Sequence, residues 1–430
     1  MNHTISNKIE NRDAIVAVMG LGYVGLPLAL AFAERGFKTI GFDISEMTVE
    51  QVKNGETSVL DVSNHRLQTA LFEGKLVPTS DPGLLSQVDA VIICVPTPLT
   101  SSHEPDVSAI ESAVSLIKAH IIKPVFISLE STTYPGCTRE VIVKPLVETG
   151  KHLDEDLFIC FSPERVDPGN ALYHTENTPK VVGGISEASI QIGEMLYKQV
   201  IDQVVVVSSP EVAEMSKLLE NTFRCVNIAF MNEMSLMCDR LGIDIWETLD
   251  AAETKPFGFM RFNPGPGVGG HCIPLDPMYL SWKAKQTNFF SRFIETAQDI
   301  NSNMPKKVVE KATNLLNEQG AAISKSKILL LGMSYKKNIN DLRESPSLEV
   351  YEELLSKNAI VEYCDPYVPF FKTKSGVLQN SLDWETLHLK DFDLVILLTN
   401  HTDFDREKIN REASLLLDTR HRSSHKMPVH

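Results

Sequence analysis

The sequence predicts an α/β protein in which two parallel-sheet domains are joined by a central helical region. Toward each end of the chain, short apolar runs of strand length alternate with helical patterns, as they do in consecutive βαβ units. Between these stretches, from about residue 209 to residue 249, apolar residues recur at three- and four-residue spacing. We therefore expect Rossmann-like domains at residues 1–208 and 306–430, with a helical part at 209–305.

The first domain opens with a strand, a glycine turn and a helix. Residues 14–19 form an apolar run, the turn reads Gly-Leu-Gly-Tyr-Val-Gly over residues 20–25, and a helical pattern follows over 26–35. The next strand, 38–42, ends at Asp43. A GxGxxG turn between strand and helix, with an acidic residue about 20 positions later, is the fingerprint of a dinucleotide site.

Each part of this fingerprint has a physical purpose. Gly20 allows the tight turn, Gly22 lets the backbone approach a pyrophosphate, and Gly25 lets the helix pack closely on the strand. The phosphates would lie over the positive end of the helix, and Asp43 would accept hydrogen bonds from the ribose, which favours NAD over NADP. The residues assigned to this cofactor site are Gly20, Gly22, Tyr23, Val24, Gly25 and Asp43.

Further strands of this domain are followed by polar turns. Residues 90–95 and 125–129 read as strands, and turns at 96–98 and 130–136 come after them. Ligands of open parallel sheets lie at such carboxyl ends of strands. The hydroxyls of the second turn would then lie near the nicotinamide, although an ordinary Ser/Thr-rich turn has the same composition.

The segment at residues 265–277, Gly-Pro-Gly-Val-Gly-Gly-His-Cys-Ile-Pro-Leu-Asp-Pro, surrounds Cys272 with glycine. Glycine has no Cβ, so this backbone can approach a ligand closely. A free cysteine is most often a small buried hydrophobe. Glycine-rich backbone and the nearby Asp276 instead favour a reactive thiolate. Together with a hydride acceptor, such a thiol indicates an oxidation that passes through a covalent thioester.

Two other segments carry candidate catalytic groups. On a helix, Lys217, Asn221 and Arg224 fall on one face and could stabilise an oxyanion, although a solvated charged face has the same pattern. After the strand at 157–160, Glu164 is a candidate general base for water, and Arg165 is a candidate anchor for a sugar or phosphate.

The last part of the chain repeats the α/β pattern without the three glycines. Strands are predicted at 327–331, 359–363, 394–398 and 415–417, with a helix at 347–355. Lys336 and Arg343 flank the first turn, and Arg420 follows the last strand. Positively charged side chains at the ends of strands suit a diphosphate, but ordinary surface residues without a ligand would give the same composition.

Composition excludes several classes of function. The net charge of -15 argues against a general nucleic-acid or membrane-surface binder. The seven cysteines form no CxxC pair that would support a zinc site, so no metal is expected, and their odd count indicates reduced thiols in the cytoplasm. We expect no signal peptide in polar residues 1–11 and no inserted membrane segment.

Taken in order, these motifs resemble the UDP-glucose/GDP-mannose dehydrogenase family, the NAD-dependent nucleotide-sugar 6-dehydrogenases. The resemblance covers about residues 15–420, and its counterparts include residues 20–25, 94–98, 130–136, 162–165 and 269–276. It implies a four-electron oxidation of a sugar C6 alcohol with two NAD⁺. It also implies a dimer built on the central helices and a C-terminal domain that binds UDP.

The resemblance assigns roles residue by residue. Cys272 matches the nucleophile, Lys217 and Asn221 the oxyanion stabilisers, and Asp276 and Glu164 the groups for proton transfer and water activation. Thr97, Thr132 and Arg343 match NAD contacts, and Thr132 is also assigned to catalysis. The positions that match the substrate site are Arg165, Val166, Lys217, Asn221, Arg224, Arg261, Gly269, Lys336 and Arg420, with Arg261 placed to reach a neighbouring subunit's substrate.

Departures from the family pattern bear on the sugar. Many members have a lysine where this chain has Leu275, and a basic residue where it has Met47 and Thr48. Gly-His-Cys-Ile-Pro at 270–274 resembles the UDP-N-acetylhexosamine branch, and residues 263–267 and 279–284 resemble UDP-N-acetylglucosamine 6-dehydrogenases. UDP-N-acetylmannosamine, UDP-N-acetylgalactosamine and UDP-glucose stay open, as do a two-electron dehydrogenase and a non-catalytic nucleotide-sugar sensor.

Overall fold

The computed structural model describes residues 3–59, 61–100, 102, 104–166, 170 and 172–421. The chain forms two compact units, Met1–Glu220 with Met278–Asn288, and Asn221–Pro277 with Phe289–His430. Each unit combines a mainly parallel sheet with helices, which confirms the predicted fold class. The three-part division at 208 and 305 stays a prediction, and the polar tail after His421 lies outside the described residues.

The first unit is built on one large sheet. Its strands are β1 (Ile15–Met19), β2 (Lys38–Phe42), β3 (Leu76–Thr79), β4 (Ala90–Ile93), β5 (Val125–Leu129), β6 (Leu157–Phe161), β7 (Lys180–Gly184) and β8 (Val204–Val207). Their order is β3-β2-β1-β4-β5-β6-β7-β8, and all pairs are parallel except β6 with β7. Its helices are α1 (His3–Glu10), α2 (Gly25–Glu34), α3 (Glu46–Lys53), α4 (Asn64–Phe72), α5 (Ser108–His120), α6 (Lys144–Val147) and α7 (Glu187–Tyr197), with a π-helical turn at Thr138–Val143.

The sequence explains why β1 is central. Its apolar run alternates between the two faces of the sheet: Val16 and Val18 join one apolar cluster, and Ala17 and Met19 join the other. A strand buried on both faces reads as a continuous hydrophobic run. Because β1 pairs with both β2 and β4, the strand order reverses there, and this reversal point is where open α/β sheets bind ligands.

The second unit contains the smaller sheet. Two helices cross from one unit to the other, α8 (Pro210–Leu241) and α10 (Cys272–Lys285). The other helices are α9 (Ile245–Glu253), α11 (Arg292–Glu318), α12 (Pro346–Ser356) and α13 (Arg406–Glu412). The strands are β9 (Lys327–Leu331), β10 (Ile360–Cys364), β11 (Phe370–Lys372), β12 (Leu378–Asn380), β13 (Leu394–Leu397) and β14 (Leu416–Asp418). The parallel sheet runs β10-β9-β13-β14, and β11 pairs with β12 as a hairpin.

The 32-residue helix α8 exposes a row of large apolar side chains. They recur at four- and seven-residue intervals, which places them on one face of the helix. The row consists of Met215, Leu219, Phe223, Phe230, Met237 and Leu241. Across the described ranges, no helix is long and apolar enough to cross a membrane.

Candidate active site

The glycine turn after β1 has the geometry that its sequence predicts. Gly20 has a φ of 99°, and a Cβ there would stand 2.5 Å from the carbonyl oxygen of Cys94. A Cβ on Gly25 would stand 1.8 Å from the carbonyl oxygen of Gly20, so strand and helix touch at this point. Gly22, by contrast, has open space where a Cβ would be. Two glycines therefore allow packing, and the third leaves its backbone accessible.

Asp43 directly follows β2 and binds the backbone of this glycine turn. Its Oδ2 accepts a hydrogen bond from the amide of Leu21 at 2.8 Å, and its Oδ1 accepts one from the amide of Ser45 at 2.9 Å. A carboxylate has about four lone-pair sites, so capacity for ribose hydroxyls remains. Beside it is a cavity of about 180 Å³, whose lining includes Leu21, Gly22, Tyr23, Asp43, Thr48 and Glu56. These residues fit a dinucleotide.

The turns after β4 and β5 lie against each other. The Thr97 hydroxyl donates to the carbonyl of Thr132 at 2.7 Å, and the Ser131 hydroxyl donates to the carbonyl of Val95 at 2.7 Å. The Tyr279 hydroxyl donates to the carbonyl of Thr97. Two residues predicted to contact NAD, Thr97 and Thr132, are thus joined directly at the carboxyl edge of the large sheet.

A buried polar cluster behind these turns was not predicted from the sequence. Glu130 is fully buried, its Oε2 accepts from Lys180 Nζ at 2.8 Å, and its Oε1 accepts from the Tyr197 hydroxyl at 2.6 Å. The phenol has one proton, which goes to the carboxylate, so Ser128 Oγ, 2.8 Å away, donates to the phenol oxygen. Burial alone would lower the pKa of Lys180, but the carboxylates of Glu130 and Glu164 outweigh it and raise that pKa.

Glu164 and Arg165 follow β6, as predicted. Glu164 Oε1 accepts from the amides of Arg165 and Val166 at 2.7 and 2.6 Å, which folds this carboxylate onto its own backbone. Arg165 forms an ion pair with Glu220 at 2.7 Å and donates to the carbonyl of Pro179 at 2.8 Å. This segment is therefore fixed to the start of β7 and to helix α8.

Near its beginning, α8 carries Glu214 and Lys217. Glu214 is fully buried and accepts from the amides of Gly136 and Thr138 at 2.6 and 2.9 Å, so it fastens the turn after β5 to the helix. Burial raises the pKa of Glu214 to about 7, against the opposing effect of these hydrogen bonds. Lys217 is only 8% exposed, and no hydrogen bond or ion pair of its side chain joins it to another described residue. A lysine held in this way can present its ammonium to an anionic group of a ligand.

Cys272 is the first residue of α10, and its side chain is exposed. All seven cysteines lie in the described ranges, and five of the other six are buried. The unsatisfied amides and the positive end of a helix favour a thiolate at this position. Burial lowers the pKa of the adjacent His271, with a further contribution from the charge of Arg343, so this imidazole is neutral at pH 7.

Asp276 lies one helical turn after Cys272, on the same face of α10. It is 1% exposed, and its Oδ2 accepts from Asn221 Nδ2 at 2.5 Å. The structure therefore brings Asn221 together with Cys272 and Asp276, which were predicted from a different segment of the chain. A thiol, a carboxylate and an amide in this order can supply a nucleophile, a proton acceptor and a hydrogen-bond donor.

The cations of the second unit are dispersed more widely. Arg420 Nε donates to the carbonyl of Leu398 at 2.5 Å, and its Nη1 lies 2.9 Å from where a Cβ on Gly265 would stand. Lys336 is half-buried in the loop after β9, and Arg224 is exposed on α8. Arg420 therefore contacts the glycine segment that leads to Cys272.

Two predicted cations are engaged by acidic neighbours. Arg343 is exposed and holds Asp341 through Nε at 3.0 Å and Nη2 at 2.6 Å. Arg261 Nη1 contacts Asp250 and Glu253, both at 2.7 Å. Each guanidinium is thus paired within its own unit, and their assigned roles at NAD and at a neighbouring subunit's substrate stay predictions.

The glycine turn and Asp43 indicate an NAD-dependent dehydrogenase. Comparison with known proteins then shows the family. Residues 14–201 match the NAD binding domain of the UDP-glucose/GDP-mannose dehydrogenase family, 211–303 its central domain, and 329–424 its UDP binding domain. The chain belongs to this family, which confirms NAD as the cofactor and a UDP-sugar as the class of substrate.

Individual relatives support the same family. The chain is 34% identical over 393 residues to UDP-N-acetyl-D-mannosamine dehydrogenase of Methanococcus maripaludis, covering 90% of this chain and 86% of that protein. It is 32% identical to NDP-N-acetyl-D-galactosaminuronic acid dehydrogenase of Ralstonia nicotianae, covering 94% and 95%. The structure of the UDP-D-ManNAc dehydrogenase of Pyrococcus horikoshii superposes with a TM-score of 0.85 at 30% identity, covering 94% and 95%.

Proposed function

We propose that this protein oxidises the C6 alcohol of a UDP-N-acetylhexosamine to the uronate through a thioester on Cys272. The observation that carries the proposal is the exposed Cys272 at the start of α10, with Asp276 one turn later and held by Asn221. A two-electron dehydrogenase would need no nucleophilic thiol. A non-catalytic sensor would need neither the thiol nor the carboxylate beside it.

The chemistry follows from the groups that these residues supply. NAD⁺, which the glycine turn and Asp43 would hold, would supply the acceptor for the two hydrides that leave C6, one molecule for each oxidation. In the first oxidation the proton of the C6 hydroxyl passes to a carboxylate. Cys272 adds its thiolate to the aldehyde carbon, and the ammonium of Lys217 and the amide of Asn221 stabilise the resulting oxyanion. After the second oxidation, water attacks the acyl carbon, its proton passes to a carboxylate, and the carbon–sulfur bond breaks to release the thiolate. We assign Glu164 and Asp276 to these proton transfers, and Thr132 to the same step.

The remaining predicted residues bind the two ligands. We assign Thr97, Thr132 and Arg343 to NAD, in addition to the residues of the glycine turn and Asp43. The residues assigned to the UDP-sugar are Arg165, Val166, Lys217, Asn221, Arg224, Arg261, Gly269, Lys336 and Arg420. Cations and backbone amides suit a diphosphate because they neutralise its charge and donate to its oxygens.

We propose two candidates for the sugar. The amino-acid sequence of residues 263–267 and 279–284 supports UDP-N-acetylglucosamine, whose product would enter surface polysaccharide synthesis. The names of several relatives support a second candidate, UDP-N-acetylmannosamine. The two sugars differ at C2 alone, so one or two hydrogen bonds are expected to decide between them.

A substrate panel tests this proposal. Purified protein with NAD⁺ is given UDP-N-acetylglucosamine, UDP-N-acetylmannosamine, UDP-N-acetylgalactosamine and UDP-glucose, and kcat/KM is measured from NADH absorbance. We expect an N-acetylhexosamine to exceed UDP-glucose. A preference for UDP-glucose would contradict the assigned branch, and no NADH from any sugar would favour the sensor.

We also propose a homodimer or higher homo-oligomer built on α8. Its exposed apolar row, which includes Leu219, Phe223 and Phe230, supports a second copy as the partner, because a face of this kind would otherwise be left in water. Light scattering should give at least twice the monomer mass of 47.9 kDa. A charge at Phe223 should reduce that mass, and a wild-type monomer would contradict the proposal.

A further inference from the structure

Tyr335 supports the backbone that leads to the nucleophile. A Cβ on Gly270 would stand 2.8 Å from Cε2 and 2.9 Å from Cζ of the Tyr335 ring. A Cβ on Gly269 would stand 2.6 Å from Tyr335 Cβ and 2.8 Å from the carbonyl oxygen of Glu344. Distances below 3.0 Å leave no room for a side chain, so these two glycines lie directly on the Tyr335 side chain and its loop.

The same loop also fixes this backbone by a hydrogen bond. The amide of Gly270 donates to the carbonyl of Arg343 at 2.9 Å, and Cys272 begins α10 two residues later. Tyr335 and Arg343 lie in one loop between β9 and α12, and that loop also carries Lys336. The nucleophile and a residue assigned to the nucleotide are therefore connected through a single short segment.

Internal hydrogen bonds hold the first part of the loop in place. Ser334 Oγ donates to the carbonyl of Lys336 at 2.8 Å, and Thr399 Oγ1 donates to the carbonyl of Ser334 at 2.6 Å. Asp365 Oδ2 accepts from the amides of Met333 and Ser334 at 2.6 and 3.1 Å. A loop fixed in this way transmits a displacement instead of absorbing it.

His401 completes the support. Its Nδ1 accepts from the amide of Asn338 at 2.9 Å, so the proton of the neutral imidazole is on Nε2, 3.1 Å from Asp365 Oδ2. Both His401 and Asp365 are buried. The loop is therefore tied to the segments that follow β10 and β13.

We propose that Tyr335 is a positioning residue that couples nucleotide binding to the alignment of Cys272. The inference rests on the proposed function, in which Cys272 is the nucleophile and Lys336 contacts the nucleotide. A ligand held by the loop orders the support under Gly269 and Gly270 and thereby sets the start of α10. Binding energy from the nonreacting nucleotide is then used to orient the thiol at the reacting carbon.

Two substitutions test this role. Tyr335→Ala removes the ring, and the matched control Tyr335→Phe removes only the hydroxyl. UDP affinity is measured by calorimetry, kcat and KM from NADH formation, and Cys272 alkylation by iodoacetamide with peptide mass spectrometry. We expect Tyr335→Ala to bind UDP within about threefold of wild type while kcat falls roughly 100-fold and the alkylation rate changes. Tyr335→Phe should keep wild-type values.

Other outcomes overturn the proposal. Equal losses of UDP affinity and kcat in Tyr335→Ala would place the ring in the nucleotide site, and an unchanged kcat would remove any positioning role. A loss in Tyr335→Phe equal to that in Tyr335→Ala would assign the effect to the hydroxyl. If Tyr335→Ala does not fold, Tyr335→Leu is judged by the same criteria. Full turnover by Cys272→Ala would instead refute the proposed function, which separates the two failures.

Discussion

Replacing Gly270 with alanine is expected to destabilise the second unit and to disturb Cys272. Gly270 has a φ of 84°, and a left-handed conformation costs an L-residue about 1–2 kcal/mol. The new methyl would also stand 2.8 Å from the Tyr335 ring, and overpacking of this kind costs about 1–3 kcal/mol. The free energy of unfolding should therefore fall by roughly 2–5 kcal/mol.

Gly320→Ala is the matched control for this substitution. Gly320 also has a positive φ, 74°, but nothing lies within 4 Å of the position a Cβ would take. The control therefore bears the conformational cost alone, about 1–2 kcal/mol. Urea unfolding measures both variants, and the alkylation rate of Cys272 reports whether the strain reaches the nucleophile.

A double substitution isolates the ring contact. Adding Tyr335→Ala to Gly270→Ala should recover the overpacking cost and leave the conformational cost, so the two effects should not be additive. Equal destabilisation by Gly270→Ala and Gly320→Ala would refute the argument that the Tyr335 ring restricts this glycine. Strict additivity in the double variant would refute it as well.

Three further predictions concern the first unit. Lys180→Met leaves the Glu130 carboxylate buried without its cation and should lower the free energy of unfolding by about 3–5 kcal/mol. Adding Glu130→Leu should restore most of this loss, and additive losses in urea unfolding would contradict the prediction. The pKa of Glu214 rises from 4.5 to about 7, so its stabilising contribution is complete below pH 4.5 and is lost as the pH rises through 7. The Tm difference between wild type and Glu214→Gln should therefore shrink from pH 5 to pH 8, and a constant difference would count against it. Gly22→Ala fits the open space, so Tm should stay unchanged while NADH binding measured by fluorescence weakens about tenfold or more; unchanged affinity would oppose the assigned pyrophosphate approach.

Much of the fold could be predicted because it depends on local periodicity. The apolar runs at β1 and β9 are nearly continuous and are followed by glycine, so their positions follow from burial on both faces. The glycine turn and Asp43 follow from spacing alone. The start of α10 at Cys272 was not predicted. Pro274 lies in the first turn, which tolerates proline, but Pro277 lies inside the helix, where proline removes a backbone hydrogen bond.

Long-range polar contacts could not be predicted. Glu130 is 50 positions from Lys180 and 67 positions from Tyr197 in the sequence, and no periodic pattern connects these residues. Asp365 is a similar case: it accepts from the amides that follow β9 much as Asp43 accepts from the amide of Leu21, yet the second turn lacks the glycine fingerprint. Such partners can be identified only from the folded structure, in which the sheet brings the ends of distant strands together.

The central claim is that Cys272 carries a thioester during a four-electron oxidation. The most direct measurement is the number of NADH formed per molecule of UDP-sugar oxidised, with wild type beside Cys272→Ala and with intact-mass detection of the quenched enzyme. Two NADH per sugar and an acyl adduct on Cys272, both lost in the variant, are the predicted result. One NADH per sugar, or turnover indifferent to the substitution, would contradict the covalent mechanism and leave a simple alcohol dehydrogenase.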